Sequence, residues 1–240
     1  LIFTMVKKMF MLILLSMLAT LYGTAQKTIL KKQVSDELFQ SNTGPNKKHF
    51  VHLFSHFSIF INDAETEVET RFFKTNTWGI GMRYKYKISG WYSLGGDLYY
   101  RHWNYNLKQQ GPVFPNAIKH DKENLIYDNM GMTFYQRINF FERGDFIGMF
   151  FDFGPYINYA LDTRYVVIDK LDNSVYHAGE SRTSYSDLDY TNRFNYGIKF
   201  RFGYNILSVK AGYRLSDLFK PAYDYPEFPR FELGIELGMF

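Results

Sequence analysis

The 240-residue sequence contains no cysteine, which excludes disulfides, thiolate metal sites and the lipid-attachment cysteine that a bacterial lipoprotein carries after its signal. A strong charge of one sign is also lacking, since 28 basic and 24 acidic residues leave a formal net charge of +4. No basic run or recognition motif accompanies this mild excess, so we expect no nucleic-acid partner. A glycine-rich phosphate loop and a dense acidic calcium site are missing too, and we expect no cofactor.

Aromatic residues, in contrast, are abundant. They make up 20% of the chain, yet mean hydropathy is slightly negative. A chain rich in Tyr and Phe but not hydrophobic on average favours alternation within β-strands over helices that are apolar all round.

The start of the sequence indicates export. Two lysines precede an apolar stretch, residues 9–21, which is too short to cross a bilayer as a helix. Small residues then stand at −3 and −1 relative to a cleavage site between Ala25 and Gln26. We therefore predict a signal peptide over residues 1–25, the alternative being a short buried helix. Residues 26–48 are polar and contain a Gly-Pro-Asn breaker, which predicts a flexible periplasmic leader.

From residue 49 onward the apolar residues recur with a period of two. Residues 190–206 show it most clearly, with Tyr, Phe or Ile at nearly every even position and Arg, Lys, Asn or Gly between them. A strand places such a pattern on one face, whereas a helix does not. Eight segments read in this way, and most are long enough to cross a bilayer at a tilt. They are residues 50–61, 78–88, 91–103, 125–141, 146–161, 190–206, 207–215 and 230–240.

The connections between these segments alternate in length. Short turns are predicted at 89–90, at 142–145 and near 203–205, and long polar loops at 62–77, 104–124, 162–189 and 216–229. A run at 164–169 either extends the wall outward or forms a small hairpin. Short turns on one side and long loops on the other are typical of outer-membrane proteins, with the short side and both termini periplasmic. Residues 49–240 are thus predicted to form an all-β, eight-stranded antiparallel up-and-down transmembrane β-barrel.

Volume decides which face points outward. The apolar face carries roughly forty large side chains, and the interior of an eight-stranded barrel is only just filled by side chains. The apolar face must therefore meet outer-membrane lipid, and a soluble barrel with an apolar interior is the disfavoured alternative.

The polar face is expected to line the lumen. Its predicted bases are Arg83, Lys85, Lys87, Arg101, Arg137, Arg193, Lys199, Arg201, Lys210 and Arg214. Its predicted acids and histidines are Asp97, Asp152, Asp189, Glu232, Glu236, His52 and His56. We expect Glu232 and Glu236 to reach Lys210, Arg214 and the two histidines. Because unpaired charges in a narrow lumen are costly, the pattern predicts a structural salt-bridge plug. The alternative is a narrow anion-preferring pore, since bases outnumber acids.

Catalytic and metal-binding candidates are weaker. The predicted outer rim holds three histidines and two serines, the residue types that an outer-membrane lipid-modifying enzyme would need. Nothing in the sequence fixes them in a triad, so this alternative is disfavoured and we expect no enzyme. These residues are His102, His120, His177, Ser181 and Ser184. Scattered loop aspartates could contribute to a cation site, although such a scatter is typical of a solvated face. They are Asp169, Asp172, Asp187 and Asp189.

This architecture resembles that of the small outer-membrane barrel proteins, both the OmpA/OmpX-type barrels and the PorT-like porin family group, over about residues 49–240. The resemblance rests on the signal, the eight strands, the loop asymmetry and the aromatic Phe240, which here falls on the glycine/glutamate face of its strand. It implies a fold and an outer-membrane location.

Three functions remain open: a stand-alone structural or adhesive barrel, a narrow pore, and an accessory subunit of a secretion or assembly complex, which the PorT-like resemblance favours. Possible protein partners would meet the leader, the exposed aromatics of the wall or the loop aromatics, since Tyr and Phe are enriched at binding surfaces. Alternatively, the loop aromatics pack together over the barrel mouth. They include Phe114, Tyr176, Tyr185, Tyr223 and Phe228.

Overall fold

A computed structural model describes residues 44–62, 68–108, 115, 118, 120–140, 147–171 and 179–240. The predicted signal peptide, its cleavage site between Ala25 and Gln26, and the leader up to residue 43 lie outside the described residues. Within the described residues, no helix is long and apolar enough to cross a membrane.

Nine strands account for most of the described chain. They are β1 (His49–Ile61), β2 (Asn76–Lys87), β3 (Tyr92–Asn106), β4 (Lys122–Asn139), β5 (Met149–Lys170), β6 (Glu180–Ser186), β7 (Phe194–Tyr204), β8 (Leu207–Arg214) and β9 (Phe231–Met239). A single 3-10 turn, Pro221–Tyr223, interrupts the last long loop.

Eight of these strands close into an antiparallel barrel. Each barrel strand pairs with the next barrel strand along the chain, and β5 pairs directly with β7 because β6 is not part of the circle. The pairing of β1 with β9 closes the cylinder. The register at closure sets His56 opposite Glu236 and, on the other side of β1, His52 opposite Arg83. The predicted eight-stranded up-and-down barrel is confirmed.

The strand β6 is an addition outside the barrel circle. It pairs with the far end of β5, from Arg164 opposite Ser186 to Lys170 opposite Glu180. Both alternatives predicted for residues 164–169 are therefore observed, because the run extends the wall beyond the barrel and also forms a hairpin with β6.

A β-bulge marks the start of this extension. The register between β4 and β5 shifts between Asp128 and Asn129, so that Asn129 pairs with Ala160 and Asp128 with Asp162. One extra residue reverses the alternation of β5, and inward positions change from even to odd numbers beyond it. The predicted end of this strand at residue 161 was too early for this reason.

Short and long connections alternate as predicted. Asn205 and Ile206 alone join β7 to β8, and the positive φ of 54° at Asn205 suits the tight hairpin. Residues 88–91 and 140–148 make the other two short connections. Long segments at 62–75, 107–121, 171–193 and 215–230 make the other connections, and their described residues lie at the opposite end, which we call the loop side.

Candidate functional site

The lumen is filled by an ion-pair network centred on Asp97. Arg83 Nε lies 2.8 Å from Asp97 Oδ1, and Arg201 Nη1 lies 2.6 Å from Asp97 Oδ2. Both arginines also contact Glu236 Oε1, at 2.6 Å and 3.3 Å respectively. Four strands, β2, β3, β7 and β9, thus meet at one cluster inside the barrel.

Arg201 carries the network toward the short-turn side. Its Nη2 lies 3.0 Å from Asp152 Oδ2, and Arg137 binds the same carboxylate with two bonds of 2.7 and 2.8 Å. Aromatic rings cover these guanidinium groups, with Arg137 3.8 Å above the ring centre of Phe150. Cation–π contacts of this kind add to ion pairing where water is excluded.

Toward the loop side the network continues through Glu232. Arg101 forms a short contact with Glu232 Oε2, and Lys210 Nζ lies 3.6 Å from Oε1. Gly212 makes this arrangement possible, because a Cβ there would lie 2.6 Å from Glu232 Oε1. A glycine on one strand therefore provides the space that a carboxylate on the next strand occupies.

The whole network is removed from water. The relative exposure of its side chains does not exceed 5%. A buried charge with a partner is tolerated, but removing that partner costs about 3–5 kcal/mol. We call this set the lumen network; it comprises Arg83, Asp97, Arg101, Arg137, Asp152, Lys199, Arg201, Lys210, Glu232 and Glu236.

An apolar cluster, the loop-side plug, closes the barrel above the lumen network. Residues of the last long loop turn inward and pack with the ends of β1, β3, β4 and β5. The cluster consists of Phe60, Trp103, Tyr105, Leu107, Leu125, Tyr127, Ala160, Tyr165, Val167, Leu218, Phe219 and Phe228.

Polar contacts hold that loop in place. Arg214, at the end of β8, contacts Glu227 Oε1 at 2.5 Å and the carbonyl of Ser216 at 2.5 Å. Tyr127 donates a hydrogen bond of 3.3 Å to the carbonyl of Leu218. Sequence reasoning missed the role of Glu227, because no periodicity predicts that an irregular loop folds into the mouth.

The short-turn side is also covered. Phe50, Ile147 and Phe150 form a small buried cluster there. Lys85 donates a hydrogen bond to the carbonyl of Pro45, which brings the end of the predicted leader over the lumen. Phe240 packs edge-on against Phe50 at a ring distance of 5.1 Å, so the lumen-facing phase expected for this residue is observed.

Most predicted lumen residues lie inside, but some predictions were wrong. Arg193 is exposed and pairs with Asp187, because β7 begins only at Phe194 and the alternation does not reach back to residue 193. Asp189 is likewise exposed, in a turn of the long loop.

The partners of the strand β9 acids also differ from expectation. Arg214 pairs with Glu227 rather than with either of them. His52 Nδ1 and both ring nitrogens of His56 have no hydrogen-bond partner among the described residues. Of the expected contacts, only that between Lys210 and Glu232 is present.

The rim histidines are held by carboxylates. His102 Nδ1 lies 2.7 Å from Asp128 Oδ1, and His120 Nδ1 lies 2.8 Å from Asp169 Oδ2. Ser181 and Ser184 lie on β6, opposite Asp169 and Val166, while His177 lies outside the described residues. Of the candidate cation ligands, Asp172 is also outside them, and the described residues contain no group of three or more His, Asp or Glu able to hold a metal ion.

Asp128 is the centre of a polar cluster on the outer wall, at the next outward position beyond Met130. It accepts hydrogen bonds from Tyr100 at 2.6 Å and from Arg164, besides its contact with His102. The carboxylate of Asp128 thus joins β4 to side chains of β3 and β5.

Apart from Asp128, His102 and Arg164, the outward face of the barrel is an apolar belt. Every barrel strand contributes to it, and many of its side chains are about half exposed. It includes Val51, Leu53, Phe57, Trp78, Ile80, Met82, Tyr84, Leu94, Leu98, Tyr100, Met130, Met132, Phe134, Ile157, Tyr159, Phe194, Tyr196, Ile198, Phe200, Phe202, Tyr204, Val209, Leu233, Ile235, Leu237 and Met239.

Neither a protein-family model nor a curated protein matches the chain. Among solved structures it is similar to Ail, the attachment invasion locus protein of Yersinia pestis, in complex with the heparin analogue sucrose octasulfate: 10% identity, 79% of this chain and 97% of that chain covered, TM-score 0.32. A second structure of Ail gives 12% identity, 80% and 99% coverage and a TM-score of 0.31.

Proposed function

We propose that the protein is exported, loses its signal peptide and inserts into the outer membrane. There it acts through its surfaces as a structural or accessory subunit of a complex for secretion or assembly. One observation carries the membrane part of the proposal: the polarity of the barrel is inverted. Charged side chains such as Arg201 and Asp97 are buried in the lumen, while Phe194 is 69% exposed outside.

This inversion favours lipid as the surrounding medium. Soluble monomers rarely expose continuous apolar patches larger than a few hundred Å², whereas the apolar belt runs around all eight strands. In a membrane every backbone polar group must be bonded internally, and a closed barrel achieves this without a free edge. Aromatic residues at the ends of the belt, such as Trp78 and Tyr204, suit the membrane–water interfaces.

Membrane insertion is tested with the full chain in detergent. We expect unboiled and boiled protein to migrate differently on a gel, and circular dichroism to show mostly β-structure. A protein that stays soluble without detergent, or that has a helical spectrum, would refute the membrane barrel.

A closed lumen supports a role other than transport. The lumen network fills the middle of the barrel, and both ends are covered, by the loop-side plug and by Phe50, Ile147 and Phe150. The excess of bases is what favours the alternative, a narrow anion-preferring pore. Planar bilayers separate the two: we expect no steady conductance, and reproducible anion-selective steps would favour the pore.

We infer that the protein is not an enzyme and that the rim histidines stabilise the extension of the wall. His102 Nδ1 lies beside Asp128, which also pairs with Arg164. His120 Nδ1 lies beside Asp169, on the part of β5 that pairs with β6.

The loop side offers a surface for a protein partner. The ends of β4 and β5 project beyond the barrel together with β6, and the second edge of β6 pairs with no strand among the described residues. A free strand edge can accept an extended segment of another protein by main-chain hydrogen bonds. Tyr185, on this strand, is 56% exposed. A partner that contributes an extended segment is therefore the kind that fits.

Affinity purification after gentle detergent extraction, at native expression level, tests the partner. We expect a stoichiometric partner with the native protein and its loss when Tyr185→Ser is combined with Arg182→Glu. The matched control is Tyr223→Ser, which alters another exposed tyrosine on the loop side and should retain the partner. A monodisperse protein of one-barrel mass would leave the stand-alone barrel as the remaining non-conducting function.

A further inference from the structure

Two lysines of the lumen network have no carboxylate at hydrogen-bond distance. Lys210 Nζ is fully buried, lies 3.6 Å from Glu232 Oε1 and has no hydrogen-bond partner among the described residues. Lys199 Nζ lies 3.8 Å from Asp97 Oδ2, and that carboxylate already accepts bonds from two arginines. Carboxylates thus compensate both ammonium groups only at longer range, and Lys199 Nζ also lies 5.0 Å from the ring centre of Tyr99.

The charge balance of the lumen network also identifies Lys199 and Lys210 as the residues without a paired carboxylate. Its six bases face four acids, a surplus of two positive charges. Each arginine of the network has a carboxylate oxygen within 3.0 Å. The surplus therefore resides on Lys199 and Lys210.

These two lysines are also neighbours. Lys210 pairs with Arg201 across the β7–β8 ladder, and Lys199 lies two residues along from Arg201 on the same face. Side chains in such diagonal positions are within reach of each other.

We propose that the lumen binds a small inorganic anion of the halide class between the ammonium groups of Lys199 and Lys210. Buried like charges in a medium of low dielectric constant require compensation, and a monovalent anion supplies it to both lysines at once. His56 borders the site with both ring nitrogens buried and unpartnered among the described residues. Because both ends of the barrel are covered, the anion is resident and not in transit.

The direct test is crystallography of the full chain with bromide replacing chloride. We expect an anomalous peak at hydrogen-bond distance from both Nζ atoms. Data of sufficient quality with no peak between the two lysines would overturn the proposal, because bromide is the halide itself and the native protein is used.

The second test follows thermal unfolding in detergent while chloride replaces gluconate at constant ionic strength. A ligand that binds only the folded state raises the midpoint temperature with its concentration. We expect this rise for the native protein and its loss in Lys199→Met and Lys210→Met. The control is Lys85→Met, which removes a buried lumen lysine that is bonded to the carbonyl of Pro45 and should retain the rise.

If a variant fails to fold, as judged by its migration on an unboiled gel, the chloride titration of the native protein still decides. A midpoint temperature that does not depend on chloride overturns the proposal. So does an identical chloride response in the native protein and in Lys210→Met, since general salt effects act on both.

Discussion

Arg83 and Glu236 lie 153 positions apart on strands that flank β1 from opposite sides, and inside the lumen their side chains meet at 2.6 Å. The contact crosses the closure of the barrel, since β9 can place Glu236 there only when it is paired with β1. Formation of the lumen network is therefore coupled to closure of the barrel, and substitutions in the network should affect the stability of the closed barrel.

Glu236→Gln is expected to lower the free energy of unfolding by about 3 kcal/mol, because it leaves Arg83 and Arg201 with a buried charge less compensated. Urea-induced unfolding in lipid vesicles measures the change. The control is Glu180→Gln, which removes an exposed partner of Lys122 and should change stability by less than about 1 kcal/mol. Equal changes in the free energy of unfolding would mean that the buried contacts of Glu236 contribute no more to stability than an exposed ion pair.

The loop-side plug makes a separate prediction. Phe228 is fully buried although it belongs to a loop, and it packs 5.3 Å from Phe219. Phe228→Ala should lower stability by about 3 kcal/mol, as in a domain core, because it leaves a cavity. Thermal unfolding followed by the gel shift of unboiled protein measures it. Tyr223→Ala, in the same loop but exposed, should leave the midpoint temperature of unfolding almost unchanged. An equal loss of stability in both variants would mean that the buried position of Phe228 gives it no special role in the plug.

Period-two alternation is what made the barrel predictable. It is a local property, so eight strands and the inward phase of residues such as Asp97 and Lys210 follow from sequence alone. Its limits are seen at strand ends: Arg193 continues the pattern but precedes β7, and the bulge beside Asn129 reverses the phase of β5.

Pairing across the lumen was predicted less well. Which charges meet depends on the tilt and stagger of the strands, and these are not readable from alternation. Arg214 was assigned to the acids of β9 but pairs with Glu227, because the loop after β8 folds inward. The inward fold itself leaves no periodic signal, although Pro226 and Pro229 stiffen that segment.

The polar cluster on the outer wall makes a further stability prediction. Asp128 on β4 contacts Tyr100 and His102 on β3 and Arg164 on β5. Asp128→Asn should lower the free energy of unfolding by about 1–3 kcal/mol, because it weakens hydrogen bonds that join three strands.

Urea-induced unfolding curves of both proteins in lipid vesicles measure this difference. Tyr100→Phe serves as an internal check, because it removes only one hydrogen bond to the carboxylate and should have a smaller effect. Equal stability of the native protein and Asp128→Asn would mean that the cluster does not hold the strands together.

The absence of cysteine permits a clean test of orientation, since any introduced thiol is the only one in the chain. Tyr223, in the last long loop, and Gly90, in a short turn, lie at opposite ends of the barrel and are both exposed. A Cβ at Gly90 would meet no atom within 4 Å, so a cysteine there fits without strain. On intact cells, a maleimide reagent too large to cross the outer membrane should label Tyr223→Cys and leave Gly90→Cys unlabelled. Disrupting the membrane should make Gly90→Cys reactive as well. Labelling of Gly90→Cys alone would mean that the barrel is inserted the other way round, with its long loops in the periplasm.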